Sequence, residues 1–275
     1  MTTAQKVIKH LAIAFAIFLI VSIFSGIIGT IEIIGEFFTE DDATGDMKTY
    51  SVSGDIRDLN IMINGADLRI KKGDKLSVES NLNGLSVEEK NGCLAVKDTT
   101  KAHISHWGTG NVSYKDAALI IYVPDGTVFE NVDIFTGAGK FTVDSLSAER
   151  IDLELGAGDA AIGTLVATGS ANIEGGAGRV TVNNGALNDL NIEMGVGELN
   201  LTSALSGKSN LEMGVGKSNI TLIGDRKDYG INVEKGLGSI KVDGKDVSDF
   251  GSNGDGENEV EIHGGVGSIN ISFKK

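Results

Sequence analysis

From about residue 130 onward, apolar and polar residues alternate with a period of two, broken at even intervals by Gly-x-Gly. Leu190 to Leu201 shows the unit: Leu190, Ile192 and Met194 alternate with Asn191 and Glu193, then Gly195-Val196-Gly197 interrupts, and Leu199 and Leu201 resume around Asn200. Alternation of this kind predicts a strand with one buried face, so each unit is strand, glycine bend, strand. The phrase NIEMGVGELNL returns 19 residues later as NLEMGVGKSNI.

The glycine pairs are Gly137/Gly139, Gly156/Gly158, Gly176/Gly178, Gly195/Gly197, Gly214/Gly216, Gly236/Gly238 and Gly265/Gly267, in steps of 19, 20, 19, 19, 22 and 29 residues. Three residues before each first glycine stand Ile134, Leu153, Ile173, Ile192, Leu211, Val233 and Ile262. Six residues after it stand Val143, Ile162, Val182, Leu201, Ile220, Val242 and Ile271, and between the glycines Ala138, Ala157, Ala177, Val196, Val215, Leu237 and Val266. One such unit cannot bury its apolar face alone, whereas stacked units build a continuous core.

The pattern predicts an all-β fold, a single-stranded parallel β-solenoid whose coils rise about 4.8 Å each and stack in chain order. The glycines are its corners, placed where a Cβ would clash or φ must be positive. Residues 132–275 form the regular coils, with Lys245 to Glu259 as an inserted loop. Residues 49–131 form a looser cap: LNIMINGADLRI, Leu59 to Ile70, aligns with the repeat but carries Asn64 and Ala66 in the glycine places. KLSVES, GLSVEE and CLAVKD read as further strands, and Lys274 and Lys275 would keep another strand off the open edge.

Leu11 to Ile31 runs 21 residues without a charge, enough for a helix to cross a bilayer core of about 30 Å. Lys6, Lys9 and His10 precede it, and Glu32, Glu36, Glu40, Asp41 and Asp42 follow. The positive-inside rule therefore keeps residues 1–10 in the cytoplasm and puts the repeat outside the cell membrane, behind a single-pass anchor and a linker at residues 32–48. A cleaved signal peptide is the rival reading, but the run exceeds the roughly 7–15 apolar residues of that segment and no A-x-A site follows.

Composition agrees with strands over helices: 38 glycines, one proline and 5% aromatics leave glycine to turn the chain and small aliphatics to fill the core. A formal net charge of −14 excludes nucleic acid as a partner and leaves cationic ligands open. Cys93 is the only cysteine, so there is no internal disulfide, and it reads as a packed small side chain.

IIYVPDGTVFENVDIFTGAGKFTVDSL followed by IDLELGAGDAAIGTL resembles the bacterial putative-adhesin family of membrane-anchored β-solenoid domains of unknown function, often found in Gram-positive bacteria. The resemblance covers about Met47 to Lys275. It implies a surface solenoid, no established reaction and no agreed binding residues; some members look like products of envelope-stress operons, which implies a regulatory or sensing role as an alternative.

Motifs that suggest chemistry dissolve into the repeat. Gly156 to Ala161 fits G-x-G-x-x-A, but a dinucleotide turn needs a helix after it, and here a strand follows. Calcium repeats need an aspartate column after the glycines, whereas Lys140, Asp159, Arg179, Glu198, Lys217, Ser239 and Ser268 stand there. Asp249 to Glu259 lacks the glutamate of an EF-hand at its twelfth position, Val260. His103 and His106, beside Trp107, lack a third ligand for zinc. A polysaccharide enzyme would need an acid pair and aromatics in one groove, and the outward columns hold few aromatics. No catalytic residue, cofactor or metal site is assigned.

One outward column stands out. Two residues before each first glycine come Phe135, Glu154, Glu174, Glu193, Glu212, Glu234 and His263; two positions earlier come Asp133, Asp152, Asn172, Asn191, Asn210, Asn232 and Glu261. The asparagines are expected to hydrogen-bond up the stack. The glutamates would repel by about 0.9 kcal/mol per neighbouring pair at 4.8 Å even in a water-like dielectric. Solubility alone explains a charged face; the sharper expectation is that Glu154, Glu174, Glu193, Glu212 and Glu234 bind a cation or cationic polymer. The chain is expected to be a non-enzymatic adhesive or scaffolding module that meets an envelope component or a protein.

Overall fold

The structure is a computed structural model that describes residues 41–100, 104–105, 108–109, 112–247, 250–253 and 256–275. In chain order its strands are β1 (Asp41–Asp42), β2 (Thr44–Ser51), β3 (Asp58–Gly65), β4 (Asp67–Gly73), β5 (Ser77–Leu82), β6 (Leu85–Lys90), β7 (Cys93–Asp98), β8 (Ile104–Ser105), β9 (Gly108–Thr109), β10 (Val112–Ser113), β11 (Ala118–Pro124), β12 (Phe129–Asn188), β13 (Leu190–Ser206), β14 (Lys208–Ile223), β15 (Tyr229–Val242), β16 (Lys245–Val247), β17 (Phe250–Asn253) and β18 (Asn258–Lys274). Among the described residues no helix is long and apolar enough to cross a membrane. The expected anchor, Leu11–Ile31, lies outside the described residues, as do His103, His106 and Trp107.

The chain divides into two units. In the first, the described residues form the parallel pair β1 with β10 and the antiparallel pair β8 with β9. The second, residues 43–100 and 114–275, contains the repeat.

In the repeat, parallel ladders hold neighbouring coils in register. Glu174 pairs with Glu193 and Glu193 with Glu212, and at the bends Ala177 pairs with Val196 and Val196 with Val215. β12 is 60 residues long because its ladder continues around three glycine bends. The column three before each first glycine, begun by Ile61 of β3, is at most 4% exposed, and the column six after it, begun by Ile70, at most 5%. Burial of one such side chain contributes about 1.5–3 kcal/mol, so the two columns form a continuous apolar spine.

The degenerate coil also stacks as the alignment implies: β3 pairs with the first strand of the Gly137 coil, Ala138 opposite Gly65, and β4 continues with Leu68 opposite Phe141. KLSVES, GLSVEE and CLAVKD are β5, β6 and β7.

The expectation of an all-parallel stack needs correction. β5 pairs antiparallel with β2 and β11, β6 with β7, and β15 with β16 and β17. Two of these are hairpins with two-residue turns in which both residues have positive φ: Asn91-Gly92 between β6 and β7, and Asp243-Gly244 between β15 and β16. Asn-Gly and Asp-Gly turns match the twist of an antiparallel pair. The linker boundary moves as well, since residues 44–48 lie in β2, an edge strand paired to β5.

Stacking order is the larger correction. β18 pairs with β14 on one side and with β15 on the other, so the chain's last coil lies between its two predecessors. The glycine corners exchange places with their coils. Gly267 pairs with Gly216, and Gly238, expected between those two, pairs with Gly267 and ends the column. Like residues meet like in either order, so the columns alone do not choose. The connections do: β16 and β17 return antiparallel onto the free edge of β15 and make it the outermost coil. Lys274 therefore guards no open edge; it lies opposite Ile223, and Lys275 Nζ is 2.8 Å from Asp225 Oδ1.

Candidate interaction face

Each coil presents two outward faces that meet at its glycine corner. The two glycine columns differ in what they require. At the first glycine of each pair φ is unremarkable, but a Cβ would run into the carbonyl oxygen of the corner stacked beside it, as Gly214 would into Gly195. At the second, φ is positive as well, +148° at Gly197 and +146° at Gly216. Gly267 and Gly238 share that conformation, at +148° and +147°, but the corner each would strike is not the one that chain order predicts. A Cβ on Gly267 meets the carbonyl of Gly216, and one on Gly238 that of Gly267. These residues are structural: each makes room for the carbonyl of the corner stacked beside it.

On the face before the corner, Asn172, Asn191 and Asn210 form the expected ladder, whereas Asn232 stands apart from it, separated from Asn210 by Glu261. Asn191 Nδ2 donates to Asn172 Oδ1 at 2.9 Å and Asn210 Nδ2 to Asn191 Oδ1 at 3.3 Å, while Asn172 Nδ2 donates to Asp152 Oδ1 at 3.1 Å. Each of these amides also reaches the glutamate of its own coil: Asn172 to Glu174 at 3.2 Å, Asn191 to Glu193 at 3.4 Å and Asn210 to Glu212 at 3.2 Å. The ladder fixes one oxygen of each glutamate and leaves the carboxylates at the surface.

The altered stacking order changes the acidic column. In space it reads Met62, Phe135, Glu154, Glu174, Glu193, Glu212, His263, Glu234. Glu234 is thus separated from Glu212 by His263, and the uninterrupted stripe is Glu154 to Glu212. The His263 ring nitrogens lie 3.6 Å from Glu234 Oε2 and 3.9 Å from Glu261 Oε2.

The face after the corner behaves oppositely. Its first outward column, extended by Asp67 of β4, reads Asp67, Lys140, Asp159, Arg179, Glu198, Lys217. The charges alternate, with Arg179 3.7 Å from Asp159 and 3.3 Å from Glu198. A second amide ladder follows, Asn219 Nδ2 to Asn200 Oδ1 at 2.7 Å and Asn270 Nδ2 to Asn219 Oδ1 at 2.9 Å. Sequence reasoning missed this ladder; three asparagines five residues after the first glycine were its signal, Asn200 and Asn219 being neighbours already in chain order and Asn270 joining them only once the Gly265 coil is placed beside the Gly214 coil. Among the described residues no group of three or more His, Cys, Asp or Glu could hold a metal ion.

The family model described as Toastrack DUF4097 matches residues 56–257, most of the repeat unit. The chain belongs to the Toastrack DUF4097 family. No match is found among curated proteins. The Toastrack chain is similar to solved structures of a putative cell adhesion protein from Clostridium sporogenes (16% identity, 83% of this chain and 99% of that chain, TM-score 0.31) and a putative adhesin from Bacteroides fragilis (14%, 84% and 99%, 0.42). It is also similar to a putative lipid binding protein from Parabacteroides distasonis (16%, 85% and 99%, 0.43). At these scores the family match alone carries the assignment.

Proposed function

We propose that this Toastrack domain is a non-enzymatic binding module that uses its acidic face to hold a cationic polymer or peptide, displayed outside the cell membrane behind the Leu11–Ile31 anchor. The supporting observation is the contrast between the two faces. One outward column alternates charge and neutralises itself; the other keeps four glutamates in succession, each repelling the next by about 0.9 kcal/mol even in water-like screening. A cationic ligand with regularly spaced charges relieves that repulsion, and its binding weakens with salt. The adhesive reading rests on the resemblance of the repeat sequence to putative adhesins.

The test is titration of polylysine, and separately of calcium, into the chain and into the triple variant Glu174→Gln, Glu193→Gln, Glu212→Gln at low salt. The variant is expected to bind polylysine about three- to a hundredfold more weakly, from roughly 0.2–1 kcal/mol for each of the three exposed pairs lost. Equal affinity for both ligands sinks the proposal.

A further inference from the structure

At the N-terminal end of the repeat the corner column stops. The strands β7 and β11 continue the stack beside β3 and β4, and in the chain they are separated by residues 99–117. A cleft of about 570 Å³ opens there, beside the Asn64-Gly65-Ala66 corner. Its volume falls within the roughly 300–1,000 Å³ of small-molecule sites.

The walls are built from distinct, fixed elements. Tyr114 lies against bare backbone, since a Cβ on Gly65 would stand 2.9 Å from the ring. The half-buried ring is anchored at its far end, where the hydroxyl donates to Asp98 Oδ2 at 2.7 Å and Asn64 Nδ2 donates to the same oxygen at 3.3 Å. The turn after it is closed by Ala117 N to Tyr114 O at 3.0 Å and places Asp116 at φ +60°. Asn81 clamps that turn, donating to Asp116 O at 2.9 Å and accepting from Ala118 N at 2.8 Å. Asp67 and Arg69 project from one face of β4 and pair at 3.4 Å.

We propose that this cleft binds a neutral sugar residue of a glycan. A held aromatic ring offers a face to the C–H side of a pyranose. Carboxylates at Asp67 and Asp116 accept from vicinal hydroxyls, and the Arg69 guanidinium donates to them. Two carboxylates against one guanidinium disfavour phosphate or sulfate. The small residues along the floor, Gly65, Ala66 and Ala117, leave room for a ring. The site uses no residue of the glutamate stripe, so either proposal survives the failure of the other.

The experiment is saturation-transfer NMR on the full chain in a non-glycoside detergent, with a panel of neutral disaccharides of glucose, galactose, mannose and N-acetylglucosamine. Affinities near about 1 mM are expected for one stacking contact and a few hydrogen bonds. At least one disaccharide should receive saturation, most strongly at its ring C–H protons. Tyr114→Ala should abolish the signal. Asp116→Asn keeps a residue that tolerates the left-handed turn and should weaken binding about tenfold, and the triple glutamine variant should leave it unchanged. If Tyr114→Ala does not fold, Asp116→Asn decides. A panel in which nothing binds the unmodified chain, or binding that persists undiminished in the cleft variants that fold, overturns the proposal.

Discussion

Three glycine-to-alanine changes separate the two demands made at a corner. Gly126 has φ +79° and open space where a Cβ would go, so Gly126→Ala meets only the conformational penalty, about 1–2 kcal/mol. Gly214 has no positive φ, but its Cβ would strike the Gly195 carbonyl oxygen. Gly216 combines both: φ +146°, a region that costs other residues about 1–3 kcal/mol, and a Cβ driven into the Gly197 carbonyl oxygen. Relief of that collision requires two coils to separate locally, stretching ladder hydrogen bonds worth about 0.5–1.5 kcal/mol each. Gly216→Ala is therefore expected to cost at least about 3 kcal/mol, a fall in Tm of about 6–12 °C at 2–4 °C per kcal/mol for a domain of this size. Gly214→Ala should fall between the other two. Thermal melts followed by circular dichroism give the ranking directly. A Gly216→Ala protein as stable as Gly126→Ala would refute the stacked-corner geometry.

Other consequences are equally concrete. Ser218 sits in a core column between Leu199 and Ile269, is 1% exposed, and its hydroxyl has no hydrogen-bond partner among the described residues. Ser218→Ala should raise stability by about 1 kcal/mol, read as a higher Tm, since an unpaired buried hydroxyl costs about 1–3 kcal/mol; a lower Tm would count against the burial. Burial, helped by the nearby Asp58 carboxylate, pushes the Cys93 thiol above its ordinary range, so iodoacetamide at pH 8 should alkylate the native chain several-fold more slowly than the denatured one. In a Cys93→Ala background, Glu212→Cys with His263→Cys should oxidise to a disulfide, because directly paired strands hold Cα atoms within the required 4.4–6.8 Å or so. Glu212→Cys with Glu234→Cys, two coils apart, should not; the opposite pattern would restore the chain-order stack.

Much of the fold was legible because repetition averages over local ambiguity: seven glycine pairs with matching apolar columns leave few alternatives to a stack. The alignment of Asn64 and Ala66 with the glycines located the first coil, and the asparagine ladder followed from in-register pairing. The coil order was not legible from the columns. Val233 and Ile262 fit equally well beside Leu211, and Gly238 and Gly267 equally well beside Gly216, so sequence periodicity is blind to which coil is the neighbour. The antiparallel cap was partly legible, since Asn91-Gly92 and Asp243-Gly244 are hairpin turns by residue type, although a strong parallel repeat draws attention away from them. The cleft was invisible, because Asn81 and Asp98 support Asp116 and Tyr114 only through contacts between distant stretches of chain.

Polylysine titration of two glutamine variants at low salt tests the acidic face and its stacking order together. Glu193→Gln, inside the uninterrupted stripe, should weaken binding several-fold and flatten the salt dependence, from an exposed pair worth about 0.2–1 kcal/mol plus the altered field of its neighbours. Glu234→Gln, beyond His263, should change affinity by less than about twofold. Equal losses in both variants, or none in either, would contradict a contiguous cation-binding stripe that ends at Glu212.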